Sequence, residues 1–241
     1  MRSPAPLPRV LHGATSSCRV RVWSGDPSVA QLLFHHARQP PTAADLERWC
    51  AALAAEGFSR IRTGALYARQ AERLTPIGFA PIQRLALLEH RDPGAAPRPS
   101  GSIERMRELD DAAASAVDAA AFAWPWALDA AAITEVRTAT PRSRARAVRD
   151  GGRLVAFALS GRDGRLGFLQ RLAVDPGAQR RGLGRRLVLD SLRWAGRWRA
   201  GRVLVNTHVD NAAALALYVG TGFVRLDDEL IVLERRLGIE P

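Results

Sequence analysis

The chain has 241 residues, enough for one large domain or two small ones, and 47% of them are hydrophobic, the share of an ordinary packed globular protein. The formal net charge is +11, but all 35 basic residues are arginine and alanine is abundant. That bias reads as the mark of a GC-rich genome rather than of a polyanion-binding surface, and it argues against a nucleic-acid partner, the arginines around one glycine loop excepted. Cys18 and Cys50 are too few and too far apart for a metal site or a disulfide framework. The start of the chain lacks the apolar run of a secretory signal, and no stretch approaches the ~18 apolar residues of a membrane span, so a cytoplasmic protein with no membrane partner is expected.

Residues 1–17 are rich in Pro, Ser and Gly and read as a segment ordered only if docked. A strand is expected over 19–23, and Gly25-Asp26-Pro27 turns the chain into an apolar run ending at Phe34. Thr42-Ala-Ala-Asp45 is a capping-box pattern ahead of Leu46, Trp49 and Leu53 at helical spacing, and Gly57 closes that helix. A strand over 58–63, a helical stretch leading to Gly78-Phe79 and a strand ending at Glu89 follow. Residues 91–102 form the clearest linker. Beyond it the pattern predicts a short strand over 103–109, a helix over 110–122 broken at Trp124-Pro-Trp126, and a helix over 128–136. Strands over 145–148 and 154–159 are joined by Asp150-Gly-Gly, a hairpin turn, and a further strand covers 168–174. A helix over about 183–198 ends at Gly201; then come a strand over 203–206, a helix over 211–218, Gly222-Phe223 and a last strand over 230–233.

Leu172 to Leu187 organises the rest. An apolar strand runs through Asp175-Pro-Gly177 into a Gly-rich basic loop and then a helix, an order that builds an anion site from backbone N–H groups and the positive end of a helix dipole. Arg180, Arg181, Arg185 and Arg186 add charge there. The two halves are also alike. Helix, strand, helix, Gly-Phe and strand recur in the same order through Gly57–Glu89 and Ala200–Glu234, which reads as a degenerate repeat. The first copy has no glycine loop and carries Leu74 where the second has Tyr218.

Leu172-Ala-Val-Asp-Pro176, Gln179-x-x-Gly182-x-Gly184, Asn211-x-x-Ala214-x-x-Leu217-Tyr218 and Gly222-Phe223 together make residues 103–235 resemble the GNAT superfamily of acyl-CoA N-acyltransferases. The resemblance implies an α/β fold with a mixed, mostly antiparallel sheet of about seven strands flanked by helices. The expected layout is a degenerate, partial GNAT-like half over 1–90, a linker over 91–102 and a catalytic domain over 103–241. The resemblance further implies acetyl-CoA as cosubstrate. Leu172, Ala173 and Val174 would pair with pantetheine, and Gln179, Arg180, Arg181, Gly182, Leu183, Gly184 and Arg185 would hold the pyrophosphate. Asn211 would lie near the pantetheine arm, and Tyr218 would protonate the leaving sulfur.

The base departs from the family pattern. Glutamates that family members carry would fall at Phe168 or, in the ribosomal-protein alanine acetyltransferases, at Asn206, and neither residue accepts a proton. His208 is the remaining candidate, with Glu135 and Asp210 acting through water. A lysine amine with pKa ~10.4 is neutral in about one molecule in a thousand near pH 7.4, whereas an α-amine near 8 is neutral in about a fifth. An N-terminal α-amine or a small amine of low pKa is therefore expected as acceptor, without a metal. Phe122-Ala-Trp-Pro-Trp126 is similar to an aromatic-Pro-Trp segment of the alanine acetyltransferases. The tandem layout resembles mycothiol synthase, a second reading; a third is an acyl-CoA-binding regulatory module that lost catalysis. Monomer and homodimer both remain open.

Overall fold

The computed structural model describes residues 7–14, 16–34 and 41–238. In chain order come strands β1 (Arg9–His12), β2 (Ser17–Trp23) and β3 (Asp26–Phe34), helix α1 (Ala43–Ala55), strands β4 (Arg60–Thr63) and β5 (Leu66–Tyr67), the one-turn helix α2 (Ala68–Ala71) and strand β6 (Ala80–His90). Next are β7 (Glu104–Arg105), α3 (Asp111–Ala121), α4 (Ala130–Thr138), β8 (Arg142–Asp150), β9 (Arg153–Asp163) and β10 (Leu166–Val174). Helix α5 (Leu183–Arg197), β11 (Arg202–His208), α6 (Ala212–Val219) and β12 (Val224–Arg236) complete the chain. Two compact units result, Met1–Ala86 with Asp228–Pro241, and Leu87–Asp227. The division falls inside β6 and β12, so most of the last strand counts with the first unit. No helix among the described residues is long and apolar enough to cross a membrane.

In the first unit the strand order is β1-β2-β3-β4-β12, with β5 also on β12. Strands β1 to β3 are antiparallel, and β4 runs parallel to β3 from Val29↔Arg60 to Leu32↔Thr63. Leu32, Leu53, Ile61, Phe79 and Leu233 are buried in one core. The capping box forms as expected: Thr42 Oγ1 accepts from Asp45 N at 3.1 Å, and Asp45 Oδ2 accepts from Thr42 N at 3.4 Å. Strand β1 is an element the composition of 1–17 hid. Its four residues carry no period of their own and gain their hydrogen bonds from β2. Residues 1–6 and Thr15 of that segment lie outside the described residues.

The second unit has the order β6-β11-β10-β9-β8-β7. Helices α3 and α4 cover one face with Ala114, Val117 and Ile133 against Phe157, Leu159 and Ala173. Helix α5 covers the other, where the Ser160 hydroxyl meets that of Ser191 at 2.8 Å. Asp150-Gly-Gly makes the expected hairpin, with φ of 56° at Gly151 and 83° at Gly152. The segment read as a linker is instead a strap on α5. A Cβ on Gly196 would lie 2.6 Å from Gly94 Cα, and Arg193 donates to the Ala96 carbonyl at 3.0 Å. The left-handed residue that closes α5 is Arg199 (φ 55°) rather than Gly201.

The two units share a succession of elements: three antiparallel strands, a helix, a strand parallel to the third, then a Gly-Phe turn. The turn is built alike in both. Phe79 N donates to Leu74 O at 3.3 Å, and Phe223 N donates to Tyr218 O at 3.0 Å. Gly78 and Gly222, with φ of 83° and 92°, occupy the left-handed position each time.

Candidate active site

Parallel strands β10 and β11 are paired only from Leu166–Phe168 to Arg202–Leu204. Both run on, β10 to Val174 and β11 to His208, without pairing to one another. The parting begins at a bulge in β10, where Gln170 is the extra residue between Leu169 and Arg171 opposite β9. A bulge bends its strand and raises its twist, which carries the rest of β10 away from its neighbour. Gly161 makes room for it, since a Cβ there would lie 2.4 Å from Thr140 Oγ1 and 2.7 Å from Gln170 Oε1. The result is a cleft whose β10 wall, including Leu172, Ala173 and Val174, has one edge of backbone N–H and C=O groups without a strand partner. In unit one, β3 and β4 stay paired to the end of β4 and leave no such opening.

At the top of β10, Asp175 caps a short turn by accepting from Gly177 N at 2.9 Å, and Gln179 Nε2 donates to the Val174 carbonyl at 3.3 Å. Arg180 (φ 60°) and Gly182 (φ 76°) then bend the loop onto α5. Gly182 is the N-cap, no side chain caps the helix, and the first-turn amides of Leu183, Gly184 and Arg185 have no intrahelical carbonyl to reach. No atom lies within 4 Å of where a Gly182 Cβ would stand. These are the elements of an anion cradle. Gly184 serves a different end, close packing: its Cβ would sit 3.1 Å from Leu217 Cδ2, so the missing side chain lets α6 approach α5.

The arginines of the loop divide. Arg181 pairs with Asp150 at 2.8 Å, and Arg185 donates to the Gly220 carbonyl at 2.6 Å, tying α5 to the end of α6. Arg180 has no ion-pair partner among the described residues. Asn211 is the N-cap of α6, its Oδ1 accepting from Ala214 N at 3.0 Å, which leaves its amide N–H groups as donors. Tyr218 is 5% exposed, with its ring 5.7 Å from that of Phe223. Burial pushes its phenol up to about 12, with the Arg171 guanidinium pulling the other way. His208 ends β11, and its Nδ1 accepts from Asp210 N at 3.2 Å. The same Nδ1 stands 3.6 Å from the Asp210 carboxylate. Asp210 is exposed, and Glu135 stands half-buried on α4.

One group had no signal in the sequence. Arg171, next to Leu172, forms a bidentate pair with Asp118 at 2.6 and 2.7 Å, holds the Trp126 carbonyl at 2.9 Å and lies 3.6 Å over the Phe122 ring. Asp118 is wholly buried and also accepts from Leu128 N at 2.7 Å. The aromatic α3–α4 segment is thus stapled to the cleft wall. Arg171 was one arginine among 35 and Asp118 one polar residue in an alanine-rich helix; only their meeting marks them.

The sequence pattern of the acetyltransferase (GNAT) family matches residues 103–223. Over 92 residues the chain is 40% identical to the N-alpha-acetyltransferase RimI of Mycobacterium tuberculosis, covering 36% of this chain and 56% of that protein. Over 71 residues it is 38% identical to a mycothiol acetyltransferase of a Nocardioides species, 30% of this chain and 24% of that one. The chain therefore spans about half the length of the first relative and a quarter of the second. Among solved structures, a tandem GNAT protein from the clavulanic acid biosynthesis pathway superposes with a TM-score of 0.66 over 94% of this chain and 80% of its own, at 14% identity. A GCN5-related N-acetyltransferase from Kribbella flavida does so with a TM-score of 0.65 over 95% and 90%, at 16% identity. The likeness in fold extends through both halves of the chain, while the family pattern sits on the half that holds the cleft and the cradle. The chain belongs to the acetyltransferase (GNAT) family, whose members generally take acetyl-CoA as cosubstrate.

Proposed function

We propose that the chain is an N-acetyltransferase that moves an acetyl group from acetyl-CoA directly to a primary amine, an N-terminal α-amine or a small amine of low pKa in preference to lysine. The observation that carries this reading is the parting of β10 and β11 beside the uncapped start of α5. An unpaired strand edge suits an amide-bearing arm, and the loop amides with Arg180 suit a diphosphate at its end. Asn211 has donors left for a carbonyl of that arm. The first unit, lacking both cleft and loop, is a degenerate copy without a cofactor site.

In the transfer the amine nitrogen bonds to the thioester carbon, the carbon–sulfur bond breaks, one proton leaves nitrogen and one reaches sulfur. Tyr218 has a limited part in this. A phenol at about 12 loses by more than about a thousandfold in handing its proton to a thiolate whose thiol titrates near 8.5. Tyr218 therefore acts as a neutral hydrogen-bond donor that stabilises the charge growing on sulfur, and the proton comes through water. His208 Nδ1 is engaged by Asp210 N–H, and the transfer asks for no strong side-chain base. An α-amine, neutral in about a fifth of molecules near pH 7.4, does without one. RimI, by its name, acts on α-amines.

A second reading, acetylation of a small amine as in mycothiol acetyltransferase, is favoured by the tandem succession of elements and by that relative. A panel of peptides with free α-amines, peptides with lysine as the sole amine, and small amines, scored for release of free CoA thiol, separates the readings. Turnover with α-amines or small amines is expected. Preference for lysine overturns the acceptor assignment, and tight acetyl-CoA binding with no turnover on any amine makes the chain an acyl-CoA-binding module.

A further inference from the structure

The second half of α5 carries Asp190, Arg193, Trp194 and Arg197, whose spacing puts them on one side of the helix. With Arg98 from the strap and Arg144 from β8 they line a cleft of about 410 Å³. The only carboxylate there, Asp190, has both oxygens taken by Arg144, at 2.8 and 2.9 Å, while Arg146 Nε stands 3.8 Å away. Arg193 gives one N–H to the strap at Ala96. Among the described residues Arg98 and Arg197 have no ion-pair partner. Four guanidiniums thus line a cleft whose one carboxylate is already spent on Arg144. Behind Arg144, outside the lining, burial first and Arg144 second hold the pKa of Arg146 below the usual arginine range. A helix dipole accounts for Arg197 in the last turn and the strap for Arg193. Neither accounts for Arg98 lining the same cleft.

We propose that this cleft is a binding site for a small anion bearing two or more phosphate groups, separate from the cofactor loop. Guanidinium forks match phosphate oxygens two at a time, and a concave site with a buried Trp194 wall strengthens each contact by excluding water. At 1.5 Å per residue, Arg193 and Arg197 lie roughly 16 and 22 Å along α5 from Gly182, beyond the reach of the cradle. The volume admits a nucleotide. A nucleic-acid strand fits less well: Trp194 is 9% exposed and offers no face for stacked bases, and the arginines close around one hollow rather than form a track.

The test is calorimetric titration at low salt with inorganic triphosphate, with ATP and with a short single-stranded RNA. Saturable binding of triphosphate is expected, weakened at least about tenfold in the Arg98→Ala/Arg197→Ala double variant, with acetyl-CoA affinity unchanged. Both side chains are exposed and have no ion-pair partner among the described residues, so the variant stays folded and melts within a few degrees of wild type. Gly182→Val is expected to retain triphosphate binding. ATP binding more tightly than triphosphate names a nucleotide as the source; equal affinity names the phosphates alone. The proposal is overturned if triphosphate does not bind saturably, if acetyl-CoA displaces it, if Gly182→Val abolishes it, or if RNA binds more tightly with the same dependence on Arg98 and Arg197.

Discussion

Gly182→Val separates the cost of a backbone conformation from the cost of a blocked cradle. Gly182 sits at φ 76°, where an L-residue is strained by about 1–2 kcal/mol, more for a β-branched one. No atom lies within 4 Å of the new Cβ, so no clash adds to that. A fall in melting temperature of a few degrees is the whole expected stability effect. The ligand effect is larger. The added methyls stand at the uncapped helix start, and each charge-assisted N–H bond to a phosphate is worth about 1.5–3 kcal/mol. Losing two weakens acetyl-CoA binding by at least about a hundredfold. Gly151→Val is the matched control: φ is 56°, it too has open space around its Cβ, and it lies in the β8–β9 turn. Both variants should melt a few degrees early, and only Gly182→Val should lose acetyl-CoA in a calorimetric titration. Equal affinity loss in both, or unchanged affinity in Gly182→Val, refutes the cradle.

Asp118→Ala leaves the half-buried Arg171 without its carboxylate and should cost about 3 kcal/mol, read as a lowered denaturation midpoint, whereas removing the exposed Asp150 partner of Arg181 should cost at most about 1 kcal/mol. Tyr218→Phe should lower turnover at unchanged acetyl-CoA affinity; unaffected turnover removes the tyrosine from the chemistry. The raised phenol also sets a pH dependence. Between the ordinary value near 10 and about 12, the folded protein holds a proton that the unfolded chain has lost, so this contribution is complete below pH 10 and disappears as pH rises through about 12. Alkaline melts of wild type should accordingly fall more steeply above pH 10 than those of Tyr218→Phe, and identical slopes would contradict the burial of the phenol.

Much of the second half was legible because its signals are local. Asp150-Gly-Gly forms its hairpin with both glycines left-handed, and the glycine loop bends where Gly182 allows it. Positive φ and capping depend on residues a few places apart, which a one-dimensional reading sees. Thr42-Ala-Ala-Asp45 was readable for the same reason. Strand β1 and the strap over 91–102 were not: β1 is four residues with no turn or capping signal of their own, ordered by pairing with β2, and the strap owes its order to Gly196, about a hundred residues further along the chain.

The sequence by itself determined which half could carry chemistry. Glycines and arginines at fixed spacing after an apolar strand specify a tight, basic strand-to-helix turn wherever the chain places it. Tertiary structure alone decided what surrounds that turn. It parts β10 from β11 at a one-residue bulge, sets His208 Nδ1 against Asp210 N–H, and buries Tyr218, which raises its phenol to about 12. It also joins Arg171 to Asp118 and gathers Arg98, Arg144, Arg193 and Arg197 around one cleft. In a chain with 35 arginines, the residue type says nothing about which guanidinium is paired and which is free. That depends on distances between residues remote in sequence, and only packing sets them.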